Sequence, residues 1–173
     1  MITKAFFGQN PLLIPQAKQN NGVPANVYSQ ETIELDRAIK RYEKEYMVAL
    51  LGSELYAEYL TDMADEELKV KWAAFNIHLC DTETLVSPIA NFIYFNYVQD
   101  NAFSYNGNVY TTEKKENSTI LDGAVKLVDV WNKMCDLNYT FIEWLCANPI
   151  ETTALISTAK WDYLTTEINY YGI

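Results

Sequence analysis

The sequence predicts a mainly α-helical fold, a helical bundle built around a central buried helix at about residues 88–101. Three observations point that way. Ser87–Asn101, SPIANFIYFNYVQDN, is apolar on nearly every side: between Ile89 and Val98 only Asn91 and Asn96 are plainly polar. A helix apolar all round is a buried one, and this run is too short to span a bilayer. The stretches on either side carry apolar residues at helical spacing. Strand-forming composition is confined to one short stretch, 102–112.

Residues 1–30 hold Pro11, Pro15 and Pro24 together with Asn20-Asn21-Gly22, and no helical period is maintained there. This predicts an extended N-terminal arm in which Phe6, Phe7, Leu12, Leu13 and Ile14 are available to dock on the body or on a neighbouring copy. The first helix is expected from Glu31 to Leu51. Acidic Glu31 and Glu34 lie in its first turns, Gly52 follows as its stop, and Ile39, Tyr42, Tyr46 and Leu50 share one face. A shorter helix begins at Ser53 with Leu55, Tyr56, Tyr59 and Leu60. A third is expected from Asp65 to Cys80, opening on Asp65-Glu66-Glu67 and burying Leu68, Trp72, Phe75 and Leu79.

In the central helix, Ser87 is placed to cap the first turn and Pro88 suits the first helical position. Ile89, Phe92, Ile93 and Tyr97 should be among its most buried side chains. Beyond it, Asn106-Gly107 is a hairpin signal, flanked by Ala102–Tyr105 and Asn108–Thr111. Flanks this short leave a β-hairpin and a solvent loop equally open. Glu113–Glu116 is a charged link. A long helix follows from Ser118 or Thr119 to Ala147, with Ile120, Leu121, Val125, Val128, Trp131, Cys135, Ile142 and Leu145 on or near one stripe, and Asn148-Pro149 ends it. Glu151–Ile156 is a linker or a single helical turn, and Trp161–Asn169 reads as helix before Tyr170-Tyr171-Gly172-Ile173. The 173 residues therefore divide into an arm (1–30), a helical body (31–147) and a C-terminal linker and tail (148–173) of a single domain. A chain of this length buries roughly 70% of its unfolded surface.

Charge and composition narrow the function classes. The net charge of −10 opposes phosphate, so neither sequence-specific nucleic acid nor an anionic membrane is an expected partner. Aromatic residues make up 14% of the chain, 13 of them Tyr, a content that suits cores and protein interfaces alike. Cys80, Cys135 and Cys146 form no CxxC pair and read as small buried hydrophobes. The first residues, MITKAFFGQN, lack the basic and apolar regions of a signal peptide.

Candidate chemistry is sparse. The lone histidine, His78, has only Asp81 at a spacing that would share its face, too few ligands for zinc, and reads as a partly buried imidazole. No GxSxG, glycine-rich phosphate loop or HExxH occurs. Asp65-Glu66-Glu67 looks like the N-terminus of a helix, and Asp81 and Glu83 stand near each other. Asp100, closing the central helix, is the carboxylate whose burial would bear on acid–base chemistry. No catalytic, cofactor or metal residue is assigned. Interface residues are expected at Phe6, Phe7, Phe103, Tyr105, Tyr110, Tyr170 and Tyr171.

The run SPIANFIYFNYVQDN, the Tyr/Asn/Gly turn after it, EKKEN, VWNKM and the terminal INYYGI resemble proteins encoded in phages and prophages of Bacteroidetes that look like head–tail connector (adaptor) proteins. The likeness covers residues 87–134 and 168–173. It implies a non-enzymatic virion protein, a ring homo-oligomer expected as a dodecamer, seated between portal protein and tail or further neck proteins and assembled in the host cytoplasm. It carries no functional residue across, because such adaptors vary greatly in sequence. Two other classes stay open on the residues alone: a small phage protein-binding module, and a carboxylate-based enzyme.

Overall fold

The computed structural model describes residues 1–14, 17, 30–102, 120–148 and 161–169, excepting the side chains at 30–32, 102 and 120–124. Six α-helices run in the order α1 (Gln30–Leu51), α2 (Ser53–Met63), α3 (Ala73–Leu79), α4 (Pro88–Ala102), α5 (Ile120–Ala147) and α6 (Trp161–Thr165). The described residues also include two short 3-10 turns, Lys4–Phe7 and Leu68–Trp72. Among the described residues the pairing of strands is limited to an isolated bridge between Asp81 and Val86. The protein is a mainly α-helical bundle.

Its centre is α4. Every residue from Ser87 to Phe95 is buried, with α1 packed along one side and α5 along another. Ser87 caps the helix as its position predicts. Its Oγ accepts the Ala90 amide at 3.4 Å, and its hydroxyl donates to the Leu79 carbonyl at 2.8 Å, which ties the end of α3 to the start of α4. Asn91, buried with the apolar side chains, donates to the Val130 carbonyl of α5 at 3.1 Å. Tyr97 is half-buried rather than among the most buried side chains. Beyond Phe95 the helix emerges from between its neighbours, so its last two turns are only partly covered.

Of the two sites left open for the apolar residues of the N-terminal segment, the body or a neighbouring copy, the described residues 1–14 take the body. The 3-10 turn places Phe6 and Phe7 in the core, and Ile2, Leu12 and Ile14 are buried beside them. Glu43 of α1 holds the segment, its two carboxylate oxygens accepting from the Met1 ammonium and the Ile2 amide at 3.0 Å each. Lys4 pairs with Asp36 at 2.8 Å. Phe6 and Phe7 are therefore core residues of their own chain and are not presented to a neighbour. The physical reason is simple: two adjacent aromatic rings gain more by filling the end of the bundle than by waiting in water.

The third helix is also shorter than expected, and Leu68, expected to be buried on it, is exposed. The Asp65 carboxylate accepts the amides of Glu67 and Leu68 at 2.8 and 3.2 Å, making a turn where a helix was foreseen. The chain then passes through the 3-10 turn before α3 begins at Ala73. Between α1 and α2, Gly52 adopts φ 81°, the left-handed geometry that stops one helix and re-aims the chain into the next.

Side chains of α5 hold the C-terminal segment. Asn138 donates to the Leu164 carbonyl at 2.7 Å, and the Trp131 indole donates to the Thr166 carbonyl at 2.8 Å. Asn132 clasps Ile168 in both directions at 2.9 Å, donating to its carbonyl and accepting its amide. These bonds compete with helix propagation, so α6 ends at Thr165 and residues 166–169 run without helix. The expected helix to Asn169 is thus cut short. At the other end of α6, the Trp161 indole donates to the Leu50 carbonyl at 3.0 Å, satisfying an orphan acceptor of the last turn of α1.

Two stability predictions follow from this packing. Phe92 lies against Tyr42, Tyr46 and Trp131 with almost no exposure, so Phe92→Ala should cost about 3–5 kcal/mol in urea unfolding. Asn138 is buried and accepts from the Tyr46 hydroxyl while donating to Leu164. Asn138→Leu should cost about 2–4 kcal/mol, because the hydroxyl and the carbonyl both lose their partner away from water. A cost near zero for either would show that the site is loosely packed or wet.

Candidate functional site

The most distinctive surface is the outer side of α3. On this segment Trp72, Phe75 and Leu79 point into the core. Val70, Ala73, Ala74 and Ile77 recur at helical spacing on the opposite side, and all four are exposed. Val70 and Ile77 each keep 67% of their surface in water. The ridge contains no polar side chain. Along one edge lie Met63 of α2, whose sulfur accepts from the Asn76 amide at 3.5 Å, and Leu60, one turn earlier on α2 and half exposed. Along the other edge the His78 ring stacks on Trp144 of α5, with 4.0 Å between centroids and 26° between planes. Among the described residues this ridge is apolar and exposed, the kind of surface on which protein contacts are commonly made.

Behind the ridge sits a polar anchor that the sequence did not single out. Asp62, buried at the end of α2, accepts from the Trp72 indole at 2.9 Å and pairs with Lys71 at 2.5 Å. Lys71 reaches Glu58 at 3.1 Å as well. The hydrogen bond from Lys71, then that from Trp72, holds the Asp62 carboxyl below its ordinary pKa, and the same contact with Asp62 raises Lys71. Trp72 in turn meets Tyr59 and Phe75 edge-on at 5.0 and 5.3 Å. The carboxylate therefore fixes the indole, and the indole fixes the angle at which the ridge is displayed. The only hint in the sequence was the Asp62…Lys71-Trp72 spacing, which no local periodicity connects.

The remaining candidates fall into place as structural groups. Asp100 is exposed, accepting from the Tyr42 hydroxyl with Arg41 at 3.8 Å. Burial, followed by this bond to Asp100, pushes the Tyr42 hydroxyl up to about 12. Asp81 organises the α3–α4 loop, accepting the amides of Glu83 and Thr84 and the Thr84 hydroxyl. His78 is exposed rather than partly buried, because its ring covers Trp144 instead of entering the core. Cys80 and Cys135 are buried, whereas Cys146 is exposed, and burial raises the Cys135 thiol to about 11. Of the expected interface residues, Phe6 and Phe7 are core. Phe103, Tyr105, Tyr110, Tyr170 and Tyr171 lie outside the described residues, as does the hairpin or loop expected at 102–112 beyond Ala102.

Two open grooves border α1. One of about 540 Å³ lies at the N-terminal segment, and the charges in it that pair do so with each other, Met1 with Glu43 and Lys4 with Asp36. The other, about 520 Å³, is lined by Arg41, Lys44, Glu45, Val48 and Ala49. Among the described residues no three His, Cys, Asp or Glu side chains converge to hold a metal ion, and no helix is long and apolar enough to cross a membrane.

Compared with known protein families, curated proteins and solved structures, the chain matches none of them.

The Asp62 anchor generates a prediction with a definite sign. A carboxyl whose folded pKa is depressed contributes stability above its unfolded value, near 3.8, and loses that contribution as pH falls through the folded value. Wild-type protein should therefore be more stable than Asp62→Asn at pH 6, and the gap in unfolding midpoint should narrow steadily from pH 5 down to pH 2. A gap independent of pH would mean that the ionised carboxylate is not what holds Trp72.

Proposed function

We propose that this protein works by docking to other proteins, as a head–tail connector subunit of a tailed phage that assembles into a ring between portal and tail. The observation that carries a docking role is the outward ridge Val70–Ala73–Ala74–Ile77, left apolar and uncovered on a bundle whose core is already complete. The phage assignment comes from the resemblance of residues 87–134 and 168–173 to connector-like phage proteins.

Two further features support a structural rather than a catalytic role. The buried polar side chains are each spent on the fold: Asp62 on Trp72 and Lys71, Ser87 on Leu79 and Ala90, Asn91 on Val130, Asn138 on Tyr46 and Leu164. The strong negative charge also suits a conduit, since a wall that repels phosphate lets DNA slide past without gripping it.

The test is native mass measurement of the chain alone and mixed with a tailed-phage portal protein. A ring, or incorporation into a portal complex, is the expected result; a chain that stays monomeric in both overturns the proposal. The ridge has its own variant. Val70→Asp with Ile77→Asp should leave helical content and unfolding midpoint nearly unchanged, because both side chains are already in water. Joining to the portal or tail partner should weaken at least about tenfold, as a charge on an apolar docking surface must be desolvated. Undiminished joining would show that the ridge is not the docking surface.

A further inference from the structure

The side of α1 that faces away from the core carries Arg37, Lys40, Arg41 and Lys44, all exposed. At helical spacing they fall within an arc of about 100°. Arg41 is engaged by Glu45 at 3.0 Å and by Asp100. Arg37, Lys40 and Lys44 have no carboxylate or ring partner among the described residues. Such a basic stripe is unusual on a chain with a net charge of −10. Arg41 and Lys44 also line, with Glu45, Val48 and Ala49, the open groove of about 520 Å³.

A surface of complementary character lies on α5. Asp136, Tyr139 and Glu143 are exposed and lie within an arc of about 60°, turned away from the buried row Met134, Asn138, Phe141 and Leu145. Lys133 is offset about 60° around the helix from Asp136. Tyr139 is 52% exposed and stands between the two acids. The pair Asp136–Glu143 and the pair Arg37–Lys44 each span seven residues, about 10.5 Å of helix. Within one copy the side chains of both faces remain exposed, so the two faces do not cover each other.

We propose that two copies of this chain join head to tail, with Asp136, Tyr139 and Glu143 of α5 on one copy laid along the basic stripe of α1 on the next, so that Tyr139 falls between Arg37 and Lys44, over Lys40 and Arg41. Asp136 and Glu143 meet the basic stripe, and Tyr139 is the aromatic anchor. The contact joins two different surfaces, so it is heterologous, and repetition with the right rotation closes a ring. This inference rests on the assembly reading above and names the contact within it. Phosphate is the less favoured occupant, since the acidic remainder of the molecule opposes it and does not supply the matching anchor.

Charge reversal tests the contact by sedimentation and native mass. Arg37→Glu with Lys44→Glu should weaken self-association about tenfold or more, and so should Asp136→Lys with Glu143→Lys. Mixing the two variants should restore assembly, because each interface then pairs opposite charges again. Tyr139→Ala should weaken association without changing its salt dependence. If the wild-type chain assembles and the reversals leave it unaltered, or if mixing does not rescue, the contact is wrong while the assembly reading stands. A wild-type chain that never assembles, alone or with the portal protein, overturns both. Duplex DNA binding that disappears with Arg37→Glu and Lys44→Glu would assign the stripe to phosphate and overturn the copy-to-copy contact.

Discussion

The structure depends on wrapping α4. Nine consecutive residues, Ser87 to Phe95, are removed from water, so the helix has no face left for solvent along that length. A helix of this kind cannot sit at the edge of a fold. It compels α1 and α5 to close on it from different sides, and it draws the N-terminal 3-10 turn against it as well. The burial of Phe6 and Phe7 belongs to the same constraint, since an open end of the bundle would leave part of α4 wet.

Hydrophobic burial alone would let such a bundle slide, and the polar groups inside it set the register. Asn91 fixes α4 to α5 through the Val130 carbonyl. Asn138 joins three elements, taking the Tyr46 hydroxyl of α1 and giving its amide to Leu164 of α6. Asn132 and Trp131 continue the pattern along residues 166–168. A buried amide with one specific partner penalises every alternative packing that leaves it unpaired. These asparagines therefore define where the C-terminal segment lies more sharply than Leu164 or Ile168 can by burial alone.

With the core closed and its polar groups committed, what remains for function is on the outside. The α3 ridge offers apolar area with the Asp62–Trp72 anchor beneath it, and α1 and α5 offer opposite charge on their exposed faces. The first is the surface proposed above to meet a different protein, and the other two are those proposed to meet between copies.

The sequence by itself determined the helical class, the central position of residues 88–101, the Ser87 cap and the stop at Gly52, because each is written in local periodicity or in the chemistry of a single residue. It did not determine that α3 would be shortened, since the Asp65 carboxylate competes with the helix only once the chain has turned. The inward side of that segment was legible, since Trp72, Phe75 and Leu79 are buried as their spacing predicts, but Leu68, expected beside them, is exposed. Leu68 falls in the 3-10 turn ahead of α3, whose tighter winding takes it off the face that Trp72, Phe75 and Leu79 share. Only the tertiary structure decided that. Trp72 donates to Asp62, ten residues away, and packs against Tyr59 and Phe75, and that long-range bond holds the rings inward while Leu68, Val70 and Ile77 stay in water.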